Sequence, residues 1–284
     1  MNRDGARGGS RLWRFVWASG RGRFALIVLA LWVVVAAVSL VWTPQPLSST
    51  DGYHAWSGPS LDHWLGRDGT GADMLSWLMA GSWTDLAIVV LTVALAAVLG
   101  MLLVAAMVSR ARGVAGVAVV AVDALISIPT VLLALVLAVP MGASSAVVVL
   151  ACGIGYGLNL ARIVRPRALL ASRSAYVESA VSAGAREGYV LVRHIIPNVI
   201  STAVVQLSLS AGTAILAESG LTYLGIGVPS GIPSWGRSLA TSVQFITIHP
   251  LTVLWPGLVV TVVVVALNIF GDVLRDYGSE RIGS

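Results

Sequence analysis

Apolar residues gather into six long runs along this chain, at 24–42, 86–108, 114–139, 143–160, 199–221 and 251–270, with nearly all charged residues in the stretches between them. A helix rises about 1.5 Å per residue, so roughly 17–25 apolar residues cross a hydrocarbon core about 30 Å thick. Lipid offers no partner to backbone N–H and C=O groups, which a helix satisfies within the segment. The pattern predicts an all-α polytopic membrane protein with six transmembrane helices.

Charge supplies orientation. Six arginines precede the first run, two follow the second, six follow the fourth and two follow the sixth; the alternate connections carry only Arg67 and Arg237. By the positive-inside rule this distribution places both termini in the cytoplasm, and a missed or invented span would scramble it. The chain therefore divides into a cytoplasmic N-terminal segment (1–23), a first transmembrane helix (24–42) and an outer loop (43–85). A transmembrane core (86–272) follows, holding a cytoplasmic loop at 161–197 and an outer loop at 225–250, and then a cytoplasmic tail (273–284). Within the first segment Leu12, Trp13, Phe15, Val16 and Trp17 alternate with Arg11 and Arg14, which suits a short helix lying against membrane lipid at the cytoplasmic interface. Ala37, Val38 and Ser39 form a loose small-x-small pattern, but the apolar run continues to Trp42. That length favours an uncleaved anchor over a signal peptide.

At 57% hydrophobic and 11% charged, the 284 residues leave room for one membrane domain and its loops. The net charge of +5 comes from arginines at membrane boundaries rather than along one face, which argues against nucleic-acid binding. Cys152 is the only cysteine, so there is no internal disulfide or cysteine-rich metal site, and it reads as a small packing residue. No Gly-rich phosphate loop, catalytic triad or HExxH motif is present. His54, His63, His194 and His249 are scattered over both sides of the expected membrane, so the sequence gives no metal site and no catalytic group. Two acids lie inside the runs. Asp123 sits about 9–14 Å along the third helix and Glu218 near the outer end of the fifth. Each reads either as a path-lining or proton-carrying group or as a helix-to-helix contact.

The loop at 161–197 carries the strongest motif. Ala180, Ala183 and Gly184 give one helix a small face, the helix breaks at Gly184, and a second short helix stops before Pro197. The spacing of Glu178, Ala180, Gly184 and Pro197 resembles the EAA loop of binding-protein-dependent ABC importers, with Ser179 in place of the middle alanine. The stretch from Arg193 to Asn198 is similar to the form seen in dipeptide and oligopeptide permeases, with His194 where many families have Ile. Ile215 to Gly227, Pro233 to Gly236, and the closing pattern of Trp255, Pro256, Gly257, Asn268, Gly271, Asp272, Leu274, Arg275 and Asp276 resemble the C-type subunit of that group. Asp123 with Ile128 and Pro129 also fits.

This resemblance implies a type I ABC importer permease fold in the bacterial inner membrane. It also implies a path shared with a homologous permease subunit, two ATPase subunits or domains below, and an extracytoplasmic substrate-binding protein above. No cofactor would sit on this chain; ATP and Mg would be held by the partners. Glu178, Ala180, Gly184, Ala185, Arg186 and Pro197 would form the ATPase-coupling loop. Asp68, Asp73 and Trp235 would serve the outer gate or the binding-protein contact. A self-sufficient proton-coupled carrier using Asp123 and Glu218, or an importer of another small solute such as a metal chelate, are the alternatives. Ala72, Trp77 and Trp83 stand where the resembled family tends to have arginine, which changes the charge of the first outer loop.

Overall fold

The computed structural model describes residues 14–111 and 113–283. Residues 1–13, with Arg11, Leu12 and Trp13 of the expected interfacial helix, lie outside the described residues, as does Arg112. Residues 14–18 are helical. Val16 is buried and the Phe15 ring packs 5.4 Å from that of Tyr277, so this turn leans on the far end of the chain.

Ten α-helices follow: α1 (Gly20–Ser39), α2 (Met74–Met107), α3 (Val114–Leu125), α4 (Thr130–Met141), α5 (Ser145–Ser172), α6 (Ala175–Ser182), α7 (Glu187–Val190), α8 (Ile196–Tyr223), α9 (Trp235–Ser242) and α10 (Pro250–Gly283). Five helical stretches are long and apolar enough to cross a membrane. The bent pair α3 and α4 makes six if it counts as one span. No strand occurs among the described residues; one isolated bridge joins Arg67 to Asp73.

The run at 114–139 was expected to be one helix, and the structure corrects this: it forms two, α3 and α4, which meet at 88°. Pro129 lacks an N–H and disfavours helical backbone at Ile128, so the ladder stops there and restarts at Thr130. A second difference concerns 43–85, whose last part is helical. Asp73 caps α2 by accepting from the Ser76 amide, and Met74, Leu78, Gly81, Ser82 and Asp85 recur on one buried face. At the other end α5 runs on to Ser172, carrying Arg162, Arg165 and Arg167 beyond the apolar run. The expected tail likewise continues α10.

Helix α5 is the most enclosed span, with 56% of its apolar window buried, against 22% for α1 at the periphery. It packs chiefly on α2, and α8 packs on α10. The α2–α5 contact needs glycine, since a Cβ on Gly100 would fall 2.9 Å from the Gly157 carbonyl. Small residues at such crossings let backbones approach in lipid, where apolar burial alone does not drive association. The buried core has three parts. One, near the arginine-rich end, joins Val104 and Met107 to Val177, Val190 and Ile195. A second cluster surrounds Ile88, Ala134 and Cys152. The third, toward the opposite end, holds Trp32, Met74, Leu78 and Trp235.

Candidate functional site

At the arginine-rich end, α6 lies under the bundle with Val177 fully buried and Val181 half-buried against the ends of the spans. Its opposite side shows Glu178, Ser182, Ala183 and Gly184 to the surroundings, while Ala180 is half-buried. The helix ends in a Schellman arrangement: the Ala185 amide donates to Ala180 O (3.0 Å) and the Gly184 amide to Val181 O (2.9 Å). Gly184 has φ +87°, and nothing lies within 4 Å of where its Cβ would be. The backbone therefore favours glycine, which also leaves the elbow open. Beyond it, exposed Arg186 and half-buried Ala185 lead into α7.

Pro197 does not stop a second helix, contrary to expectation. Helix α7 passes through a π-type turn, Leu191–Ile195, straight into α8, with the Ile196 amide donating to Leu191 O and Pro197 in the first turn of α8. The wider turn makes room for a ring that would clash with the carbonyl four residues earlier in a regular helix. His194 is caught between the rings of Tyr176 (5.7 Å) and Tyr189 (6.0 Å), and Asn198 Nδ2 donates to the Tyr176 hydroxyl and to His194 O.

One contact here had no sequence signal. Glu187 Oε1 accepts from the Arg110 amide at 2.8 Å, across 77 positions of sequence. That amide, followed by the Ser109 hydroxyl, holds the Glu187 carboxyl below its ordinary 4.5.

Toward the opposite end, the residues expected at an outer gate or binding-protein contact bond within the chain. Asp68 Oδ1 closes a local turn by accepting from the Thr70 amide and hydroxyl and the Ala72 amide. Asp73 is buried, with Oδ2 accepting from Ser76 and Oδ1 2.8 Å from His63 Nδ1. Trp235 is 1% exposed; its indole N–H donates to Leu78 O and its ring packs 5.5 Å from Trp32. These three groups bond within the chain, Asp73 and Trp235 from buried positions.

Trp235 belongs to a buried polar knot. Glu218 Oε1 accepts from Thr222 Oγ1 (2.9 Å) and Ser234 Oγ (3.0 Å), and Oε2 from Ser219 Oγ. Ser234 in turn caps α9 by accepting from the Arg237 amide. Asp85, assigned to a loop by the apolar pattern, is buried on α2 and accepts from the Trp235 amide at 2.9 Å. Two spans thus grip the start of one short helix through carboxylates. Further out, Trp56, with φ +61°, stacks on His249 (4.7 Å, 4°) and tilts against Phe245 (4.6 Å), tying the first long loop to the last. Asp51 accepts from Arg67 and pairs with His54; the His54 ring foremost lowers its carboxyl below the ordinary 3.8.

Asp123 is exposed on α3 and has no partner among the described residues. The two intramembrane acids are therefore not brought together. No group of three or more His, Cys, Asp or Glu side chains suited to a metal occurs among the described residues.

Residues 96–284 match the family model described as the inner membrane component of binding-protein-dependent transport systems. A probable peptide ABC transporter permease of Sinorhizobium fredii is 36% identical over 89% of this chain and 87% of its own length. A dipeptide transport system permease of Alkalihalophilus pseudofirmus is 30% identical, covering 88% and 83%. A glutathione transport system permease of Pectobacterium atrosepticum is 30% identical, covering 96% and 92%. With more than half of the chain matched by the model and nearly all of it by these relatives, the protein belongs to the binding-protein-dependent transport system inner membrane component family.

Proposed function

We propose that this chain is the permease subunit of an ATP-driven ABC importer, pairing with a homologous permease to form the membrane path for dipeptides or oligopeptides. The relatives named for peptide, dipeptide and glutathione transport support the cargo class. The arginine-rich end then faces the cytoplasm, in the bacterial inner membrane, and an extracytoplasmic binding protein delivers cargo to the opposite end. Hydrolysis belongs to two partner ATPase subunits or domains, which hold ATP and Mg; this chain supplies the mechanical coupling.

The observation that carries the reading is the elbow of α6 and α7. Buried Val177 and Val190 seat it against the bundle, while Glu178, Ser182, Ala183, Gly184 and Arg186 face outward with no partner side chain above Gly184. A small, convex helix seated on the bundle suits a groove on an ATPase, and closure of that ATPase would move the ends of the spans it rests on. Exposed Asp123 fits a contact with the sister permease or the path. Gly184→Arg should abolish uptake and ATPase recovery while leaving the subunit's membrane abundance intact. Normal uptake with normal ATPase recovery in that variant would show that this segment is not the coupling element.

A further inference from the structure

Between the elbow and the end of α2 lies a cleft of about 540 Å³, lined among others by Val108, Ser109, Arg110, Val177, Val181 and Leu191. Packing between elbow and α2 is therefore loose at this place, and loose apolar walls slide rather than pull. Across the cleft the Arg110 amide donates to Glu187 Oε1, with the Ser109 hydroxyl beside it. Glu187 begins α7, where the helix N-terminus favours a carboxylate, and a charged acceptor makes the bond a strong one. Arg110 lies three residues past the end of α2, and from Met107 α2 runs unbroken for 34 residues, containing no proline, to the opposite end. Near that end Asp85, on the same helix, accepts from the Trp235 amide and so holds the start of α9. The segment following α9 carries Phe245 and His249, which clasp Trp56 of the first long loop.

We propose that Glu187 is a positioning residue that ties the ATPase-facing elbow to α2, so that α2 carries elbow movement to the outer cap through Asp85 and Trp235. Apolar contact of Val177 and Val190 lets the elbow push the bundle; the Glu187 bond lets it also draw α2 back. Glu187 acts through the Arg110 backbone, and cargo is never in its reach. The proposal rests on the reading of the elbow as the docking segment.

The test uses the whole complex with its partner permease and ATPase in proteoliposomes, with an environment-sensitive label at Ser230→Cys, an exposed position ahead of α9. Cys152, being buried, leaves the background quiet. The unmodified complex should show an ATP-dependent signal change. Glu187→Ala should lower that change and uptake by roughly fivefold to tenfold, the scale of a single coupling contact, while ATPase still co-purifies and hydrolyses ATP. Glu187→Gln keeps an oxygen acceptor for the amide and should restore most of both; Arg110→Ala keeps the amide and should resemble the unmodified complex. A full signal in Glu187→Ala overturns the proposal. So does a Gln variant as impaired as Ala, which would make the charge itself the contact, or loss of the ATPase or of membrane abundance in Glu187→Ala, which would make the residue part of docking or folding. No ATP response in the unmodified complex would overturn the functional reading, and this proposal with it.

Discussion

Gly184 combines a left-handed backbone with empty space around it, and the two features separate by substitution. Gly184→Asn tolerates positive φ and should leave the elbow folded, whereas Gly184→Ala should cost it about 1 kcal/mol of local stability. Hydrogen exchange across 175–190 checks the difference. Asp85→Ala would orphan the buried Trp235 amide and should cost about 1–3 kcal/mol, read as a lower melting temperature, while Asp85→Asn keeps an acceptor and loses less. Glu218 is satisfied by three hydroxyls and Asp123 by none, so Glu218→Gln should reduce abundance and Asp123→Asn should weaken pairing with the sister permease, both leaving substantial uptake. Complete loss of uphill uptake in a normally assembled neutral variant would instead mark a proton carrier. The depressed carboxyl of Glu187 gives a signed expectation. Its bond contributes above the ordinary 4.5 and is lost only as pH falls through a still lower value. Coupling should therefore show no Glu187-dependent transition across the neutral range.

Hydrophobic runs located the spans at the scale of elements but misjudged their ends, because length in lipid is set by apolarity while helix bounds are set by caps and prolines. The capping by Asp73 and the recurrence of Met74, Leu78, Gly81 and Asp85 were there to be read, yet period-3.6 spacing in a mixed polar stretch is a weaker mark than an unbroken apolar run. The break at Pro129 was likewise signalled, and the uniform apolarity around it concealed the bend. Gly184 was legible as a helix break because positive φ and glycine go together. The bond from Glu187 to Arg110 was not, because nothing local records a partner 77 residues away. Neither was the burial of Asp73 and Trp235, since sequence motifs carry no burial. The π-type turn before α8 makes its own prediction. Pro197→Ala supplies the missing N–H and lets the turn relax to regular helix. Losing one residue of register rotates the elbow by about 100° against α8. Uptake should fall severalfold with abundance unchanged, and altered labelling of Tyr189→Cys would report the rotation.

For the whole molecule, the sixteen-to-two arginine distribution and the proposed ATP-driven cycle require the elbow inside and the Trp56 clasp outside. Cysteines at Ser230 should react with an impermeant reagent in intact cells, and cysteines at Ser182 only after permeabilisation; labelling of Ser182 in intact cells would reverse the orientation. In the proposed function this chain transports only as a passive partner of ATPases, and reconstitution tests that dependence. Proteoliposomes holding this chain, its sister permease, the ATPases and the binding protein should accumulate peptide with ATP and no proton gradient. They should accumulate none with a proton gradient and no ATP. Uphill uptake by this chain alone, driven by the gradient, would contradict the account.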